Sequence, residues 1–302
     1  MQAMSELAAR KVERDVRKQF LELYYQMQAE DIIATSRGLF TQLVDITRSH
    51  YATGRVSQQD VLNASLELSR LDDRATRISN EQDQQRAALT KWIGAAAQLP
   101  VSNQFPALPA LPLKEVLAAG LPEHPEIRVE TARLQAENQN ISIAREQYKP
   151  GWSAGIEYRK RFGDDPTGDS RSDMMAAMVT VDLPLFTANR QDRRLAASVQ
   201  EASAVELNRD DRMRELQLLL DSDYANWQRL GERDSLYQSR LLHEAAANAQ
   251  ASLKAYQSGV TEFATLMRAR IADLEVRLNE LRIRVDRAKA QANLLYLAGA
   301  TP

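Results

Sequence analysis

The sequence contains no cysteine. Disulfides, thiol nucleophiles and thiolate metal sites are therefore excluded, and no residue of the sequence supplies a thiol for a lipid anchor. No run of 18 or more apolar residues occurs, so no membrane-spanning helix is expected. Aromatic residues make up 6% and glycines number 11, a composition that fits a helix-rich chain. The net charge is −2 with charged residues at 26%, which gives no footprint for a nucleic-acid partner. The three histidines, His50, His124 and His243, are scattered, and none pairs with an acid at metal-ligand spacing, so each reads as structural or surface. No phosphate-binding glycine loop, GxSxG elbow or HExxH helix is present. Asp72-Asp73 lies among Arg70, Arg74 and Arg77 and reads as a solvated, ion-paired helix face rather than an acid–base pair. Met174, Met175 and Met178 open a strand, where methionine is apolar filler. The residues point away from an enzyme, and no catalytic residue, cofactor or metal site is assigned.

Met1 opens into Ser5-Glu-Leu-Ala-Ala-Arg-Lys11, which lacks the apolar core of a signal peptide. That leaves a cytoplasmic chain and a mature or truncated exported chain equally open. At 302 residues the chain has room for one or two compact domains, or for one extended helical array.

A duplication organises the rest. Tyr51-Ala-Thr-Gly54 and Tyr256-Gln-Ser-Gly259 repeat one short motif between long helical stretches. The register holds beyond each glycine: Val61-Leu62 answers Leu266-Met267, and Ala64 answers Ala269. Helix, YxxG turn, helix, written twice, marks a construction element. Residues from about 5 to 53 read as one helix, with Phe20, Leu23, Tyr24, Met27 and Ile32 at near-helical spacing. From Val61 the apolar positions step by three and four through Ala64, Leu68, Leu71, Ala75 and Ile78, turn polar at Gln82 and Gln85, and return at Leu89, Trp92 and Ala96. Pro100, Pro106, Pro109 and Pro112 forbid a helix over 99–113 and favour an extended strap. A short helix over Leu113–Ala119 and a Pro125-initiated helix to about Gln147 follow. A helix from Asn189 or Asp192 to about Tyr256 would be roughly 100 Å long, with Gly231 as its weak point. In the last segment one stripe steps without a break from Val260 through Ala264, Met267, Ile271 and Leu274 to Leu295. A second stripe, Ala269, Val276, Ile283, Ala290 and Leu297, repeats every seven, so this helix touches neighbours on two sides, as in a closed ring of helices. Between the stripes, Arg268, Arg270, Glu275, Arg277, Glu280, Arg282 and Arg284 read as a solvated face.

In the middle of the chain the period changes to two. Trp152, Ala154, Ile156 and Tyr158 alternate with Ser153, Gly155, Glu157 and Arg159; Ala177, Val179, Val181 and Leu183 alternate with Met178, Thr180 and Asp182. Each strand has a short apolar face and a polar one. This suits a strand between lipid and a water-filled lumen, and also a soluble hairpin capping a helical bundle. Two strands cannot close a barrel, so the hairpin pairs with other chains or stays an open edge.

The order of these motifs resembles the TolC-type outer-membrane efflux proteins. The likeness spans about residues 10–299. It is carried by the duplicated YxxG hairpin, by His124-Pro-Glu-Ile127 opening a helix before Tyr148-Lys-Pro150, and by Val181-Asp-Leu-Pro-Leu-Phe186 running into a long helix. Ala255-Tyr-Gln-Ser-Gly-Val-Thr-Glu-Phe263, followed by Thr265-Leu-Met267, is similar to the family's second hairpin tip. The resemblance implies a mainly α fold with a small β part: antiparallel helical hairpins forming an α-barrel tunnel, and a two-stranded hairpin given to a transmembrane β-barrel. It divides the chain into a first periplasmic hairpin (1–98), a Pro-rich equatorial strap (99–122), a helix (123–149), a barrel hairpin (150–186) and a second periplasmic hairpin (187–302).

The function so implied is the outer-membrane exit duct of a tripartite efflux system in a Gram-negative bacterium: a homotrimer with a large periplasmic portion, partnered by a periplasmic adaptor, an inner-membrane pump and outer-membrane lipid. By position, Tyr51, Gly54, Arg55, Val56, Ser57, Tyr256, Gly259, Val260 and Thr261 are the adaptor-binding tips. Asp60, Asn63, Thr265 and Arg268 are the gate and aperture, with Asp60 matching a family position that latches the opposite tip tyrosine, here Tyr256. Trp152, Ala154, Ile156, Tyr158, Val179, Val181 and Leu183 are the lipid-facing residues. The chain departs from the family twice. Thr265 and Arg268 stand where acidic residues often narrow the mouth, and the family's first strand pair is missing, so residue 1 is expected to fall inside the first repeat's long helix and the chain to be an N-terminally truncated member. The overall look leans toward metal-efflux members. A soluble coiled-coil scaffold or adaptor without a pore is the competing reading.

Overall fold

The computed structural model describes residues 2–164 and 166–298. The chain divides into two units, one of residues 1–125 with 214–302 and one of residues 126–213.

The first unit is helical. Helix α1 (Gln2–Ala52) packs along α2 (Gln58–Ile93) and also on α7 (Phe263–Leu297), which pairs in turn with α6 (Leu242–Gln257). The shared core takes Leu21, Tyr24, Ile33, Phe40 and Leu43 from α1, Ala64, Leu71 and Ile78 from α2, and Leu266, Leu274, Leu278, Leu281 and Val285 from α7. The α2 contribution recurs every seven residues, as its seam predicts. Both stripes of α7 are inward: Ala269, Ile283, Ala290 and Leu297 of the second are buried. The first stripe begins later than its periodicity suggests. Val260 is 81% exposed because it belongs to the turn, and Ala264 is exposed as well.

The charges of α7 depart from the expected solvated face. Glu280 is buried, accepting from Gln238 Nε2 at 2.5 Å and from Arg284 at 3.3 Å. Arg284 lies over the Phe105 ring and Arg282 over Tyr25. Arg74 of α2 bonds Glu275 at 2.5 Å. Arg282 reaches Glu22 of α1 at 2.8 Å, and Lys289 donates to the same carboxylate. Burial opposes ionisation of Glu22, but the bonds from Lys289 and Arg282 outweigh it and hold its pKa below the ordinary carboxyl value. For Glu280 burial wins and the pKa is raised.

Residues 99–113 form no helix and cross the bundle as a strap. Tyr24 donates to the Asn103 carbonyl at 3.1 Å and meets Phe105 edge-on, and Gln291 donates to the Pro109 carbonyl at 2.7 Å. A short helix α3 (Lys114–Gly120) follows, and His124 is buried under Tyr296 with Nε2 3.2 Å from its carbonyl, a structural histidine. Helix α5 (Gln191–Leu236) runs through Gly231 without a break. Gly231 is an approach site: a Cβ there would stand 3.1 Å from the Arg287 guanidinium, which stacks on Trp227. The irregularity falls at Tyr237–Leu241, a π turn between α5 and α6.

The second unit holds α4 (Pro125–Glu146) from Glu126 onward, the hairpin of β1 (Gly151–Arg159) and β2 (Met174–Asp182), and the start of α5. Glu126 pairs with Arg212, and Tyr148 donates to Asp192 at 2.6 Å. The antiparallel register sets Trp152 opposite Val181, Ala154 opposite Val179, Ile156 opposite Ala177 and Tyr158 opposite Met175. The apolar residues of both strands thus share one face, and every residue of both strands is exposed. The other face is less polar than expected, since Met174 and Met178 join Ser153, Glu157, Arg159 and Thr180 there. Leu183 lies beyond β2, which ends at Asp182, and so is not a strand residue.

Candidate functional site

The two YxxG motifs build the same backbone device. Gly54 has φ +70° and Gly259 φ +73°, the left-handed region where a glycine closes a helix. In the first, the Gly54 N–H donates to the Tyr51 carbonyl at 2.9 Å and the Arg55 N–H to the His50 carbonyl at 2.9 Å. In the second, the Gly259 N–H donates to Tyr256 at 3.0 Å and the Val260 N–H to Ala255 at 2.9 Å. These nested pairs form a Schellman cap, with tyrosine two places before the last half-helical residue and glycine just after it. The spacing in the motif is the spacing of the cap.

The helices that leave the turns begin differently. Ser57 caps α2: its hydroxyl accepts from the Asp60 N–H, and the Asp60 carboxylate accepts from the Ser57 N–H at 3.1 Å, closing a capping box. Glu262 holds the corresponding place before α7 without a side-chain cap bond. The tyrosines also part company. Tyr51 is 48% exposed, whereas Tyr256 is buried, stacking against Phe263 and His50. The Tyr256 hydroxyl stands 3.4 Å from His50 Nδ1 and bonds Thr47, so α1 holds the tip of α6. Burial raises the Tyr256 pKa; the Asp60 charge adds to this and the Thr47 bond opposes it.

Both turns open on one cleft of about 770 Å³, walled by His50, Gly54–Ser57, Asp60 and residues 256–264. It brings together eight of the nine tip residues expected from sequence, together with Asp60. Tyr51, Asn63, Thr265 and Arg268 lie outside its walls, and Arg268 donates to Thr265 Oγ1 at 3.2 Å. Asp60 lines the cleft with its carboxylate bonded into the capping box, and the Tyr256 hydroxyl meets His50 and Thr47 of α1. The sequence does not single out His50 and Thr47 as neighbours of this tyrosine, because the duplication aligns Tyr256 with Tyr51 and says nothing of which one turns inward. Among the described residues, no three His, Asp or Glu side chains cluster as a metal site.

The family described as outer membrane efflux protein matches residues 117–300, more than half the chain. The chain belongs to the outer membrane efflux protein family. Members of this family are transport channels rather than enzymes. No curated protein sequence matches this efflux protein. Its fold is similar to a membrane protein from Pseudomonas aeruginosa, with TM-score 0.86 and 17% identity over 99% of this chain and 68% of the other. It is likewise similar to the outer membrane protein VceC from Vibrio cholerae, at TM-score 0.86 and 18% identity over 99% and 72% of the two chains. The CmeC outer membrane channel of Campylobacter jejuni gives TM-score 0.86 and 14% identity over 98% and 64%. At these identities the likeness establishes the fold, a TolC-like arrangement of long helices with a small antiparallel sheet. No helix among the described residues is long and apolar enough to cross a membrane.

Proposed function

We propose that this chain is one subunit of a homotrimeric exit duct in the outer membrane of a Gram-negative bacterium. Residues 1–98 and 187–302 are its periplasmic hairpins, 99–122 the strap, 123–149 a helix, and 150–186 its share of the barrel. Substrates pass passively once an inner-membrane pump hands them over, and a periplasmic adaptor docks in the tip cleft. The observation that supports this reading is the pair of identically capped turns opening on one cleft of about 770 Å³, with Val260 81% exposed at its lip. An open groove between two rigid reversals accommodates a helical-hairpin tip of a partner. Release of Tyr256 from Thr47 and His50 opens the duct, Asp60 acts on Tyr256 through its charge, and Arg268 gives the aperture a cationic rather than acidic residue.

The absence of native cysteine allows a direct test. V260C and R55C, each with a short sulfhydryl crosslinker, should capture the periplasmic adaptor of the same cells' efflux pump, whereas D83C on an exposed part of α2 should not. Equal capture at all three positions, or none at the tips in cells that export, defeats the docking assignment.

A further inference from the structure

Directly after β2 the chain runs Leu183-Pro184-Leu185-Phe186, and the structure leaves Leu183 60%, Leu185 64% and Phe186 92% exposed. Phe186 has φ +61°, the one non-glycine residue with positive φ among the described residues. A bulky side chain is disfavoured in that region, so something must over-determine the conformation. The surroundings are tied rather than loose. The Leu185 N–H donates to the Leu183 carbonyl at 2.9 Å and the Arg190 N–H to Thr187 at 3.0 Å. Tyr148 bonds Asp192 at 2.6 Å and Arg194 bonds Gln147 at 3.1 Å, joining the segment that enters β1 to the one that leaves β2. The backbone therefore holds a large apolar ring outward at the base of the hairpin, next to the strand end where exposed Trp152 pairs with Val181. Basic residues flank it: Lys149 just before β1, and Arg190, Arg193 and Arg194 just after Phe186. Apolar, aromatic and basic residues in close succession match the layers of a membrane–water boundary, where rings sit at headgroup depth and long basic side chains reach phosphates.

We infer that Leu183–Phe186 is a membrane-boundary anchor, with the Phe186 ring seated at the headgroup–acyl boundary of the periplasm-facing phospholipid leaflet and Lys149, Arg190 and Arg193 directed to lipid phosphates. The inference rests on the lipid-facing reading of β1–β2. It adds that the hairpin is held at a fixed depth by a segment outside the strands. The occupant is lipid rather than a second copy because the exposed apolar surface continues from the strand face to a ring flanked by cations, and an anionic headgroup layer complements that order.

Single-cysteine spin labels test it in the full chain, reconstituted into vesicles of phosphatidylethanolamine and phosphatidylglycerol. Collision with oxygen reports lipid, and collision with a water-soluble nickel chelate reports water. I156C should be oxygen-accessible and nickel-protected; D169C in the loop should be nickel-accessible; F186C should fall between them, with nickel access several-fold below D169C. If I156C lies in lipid while F186C collides with nickel as freely as D169C, the anchor is wrong and the strand reading survives. F186C shielded from both agents means protein covers it, which overturns the anchor in favour of a second copy. I156C in water removes the strand reading and the anchor together.

Discussion

Alanine at Gly54 or Gly259 should destabilise the protein, while the same change at Gly38 should stabilise it. A Cβ added at any of the three would meet nothing within 4 Å, so steric crowding is not at issue and only the backbone decides. Gly54 and Gly259 sit at φ +70° and +73°. An L-residue there costs about 1–2 kcal/mol, from which about 0.4–1 kcal/mol is offset because alanine has fewer unfolded conformations to lose. The net loss is about 1 kcal/mol for each turn. Gly38 lies exposed inside α1 with helical backbone, where replacing glycine by alanine gains about 0.5–1 kcal/mol. Asparagine tolerates the left-handed region, so G54N and G259N should lose less than the alanine variants. Urea unfolding followed by helical circular dichroism measures the differences. For a chain of this size the thermal midpoint should move by roughly 2–4 °C per kcal/mol, upward for G38A and downward for the other two. If G259A behaves like G38A, or G54N costs as much as G54A, the caps are not what fixes the turns.

Removing the Tyr256 hydroxyl in Y256F should cost about 0.5–1.5 kcal/mol through its bonds to Thr47 and His50, and should raise the leak conductance of a reconstituted duct more than D60A does. D60A should act mainly on α2, losing about 0.5–2 kcal/mol of cap stability in a denaturation experiment. The half-buried Glu22 and the buried Glu280 should respond oppositely in a pH series of unfolding curves. Glu22, whose folded pKa is lowered, contributes stability that is present above its ordinary value of 4.5 and lost as pH falls; E22A should remove that dependence at a cost of about 1–2 kcal/mol, below that of a fully buried pair because water reaches this one. Glu280, whose folded pKa is raised, favours the folded state most when protonated, so stability falls as pH rises from 4.5 through the raised value, and E280Q should flatten that fall. Aspartate at both Ile156 and Val179, diagonal to each other on the exposed apolar face, should abolish membrane flotation of the full chain.

The parts of the fold that could be read from sequence are those where geometry forces a residue type. The Schellman cap demands a left-handed residue at one place, so Gly54 and Gly259 recur at equal distance from their tyrosines. The hairpin alternates because side chains of a strand point to opposite faces, and the cross-strand pairs Trp152–Val181 and Ala154–Val179 follow directly. Leu183 continued the alternation in sequence, yet Pro184 behind it has no N–H for the ladder, and the strand stops one residue earlier. Polar positions of α7 carried no comparable signal. Arginine and glutamate look the same in sequence whether they face water or, like Glu280 and Arg282, a partner helix. The cleft was visible as two turns but not as one site, because the contact of Tyr256 with Thr47 and His50 joins residues some two hundred positions apart that no period relates. Gly231 was misread for the reason that glycine in a helix has two causes, weakness and close approach, and only the Arg287 guanidinium beside it distinguishes them.

The π turn at Tyr237–Leu241 holds one residue more than an α-helical path through the same points needs. Excision of Ser239 would leave an ordinary helix whose two ends keep their mutual phase, with Gln238 still opposite Glu280. Excision anywhere between residues 242 and 255 would instead swing Tyr256 through about 100°, out of reach of Thr47 and His50. The π turn is therefore the place, some four turns above the tip, where one residue can be removed while the Tyr256 hydroxyl stays aimed at α1.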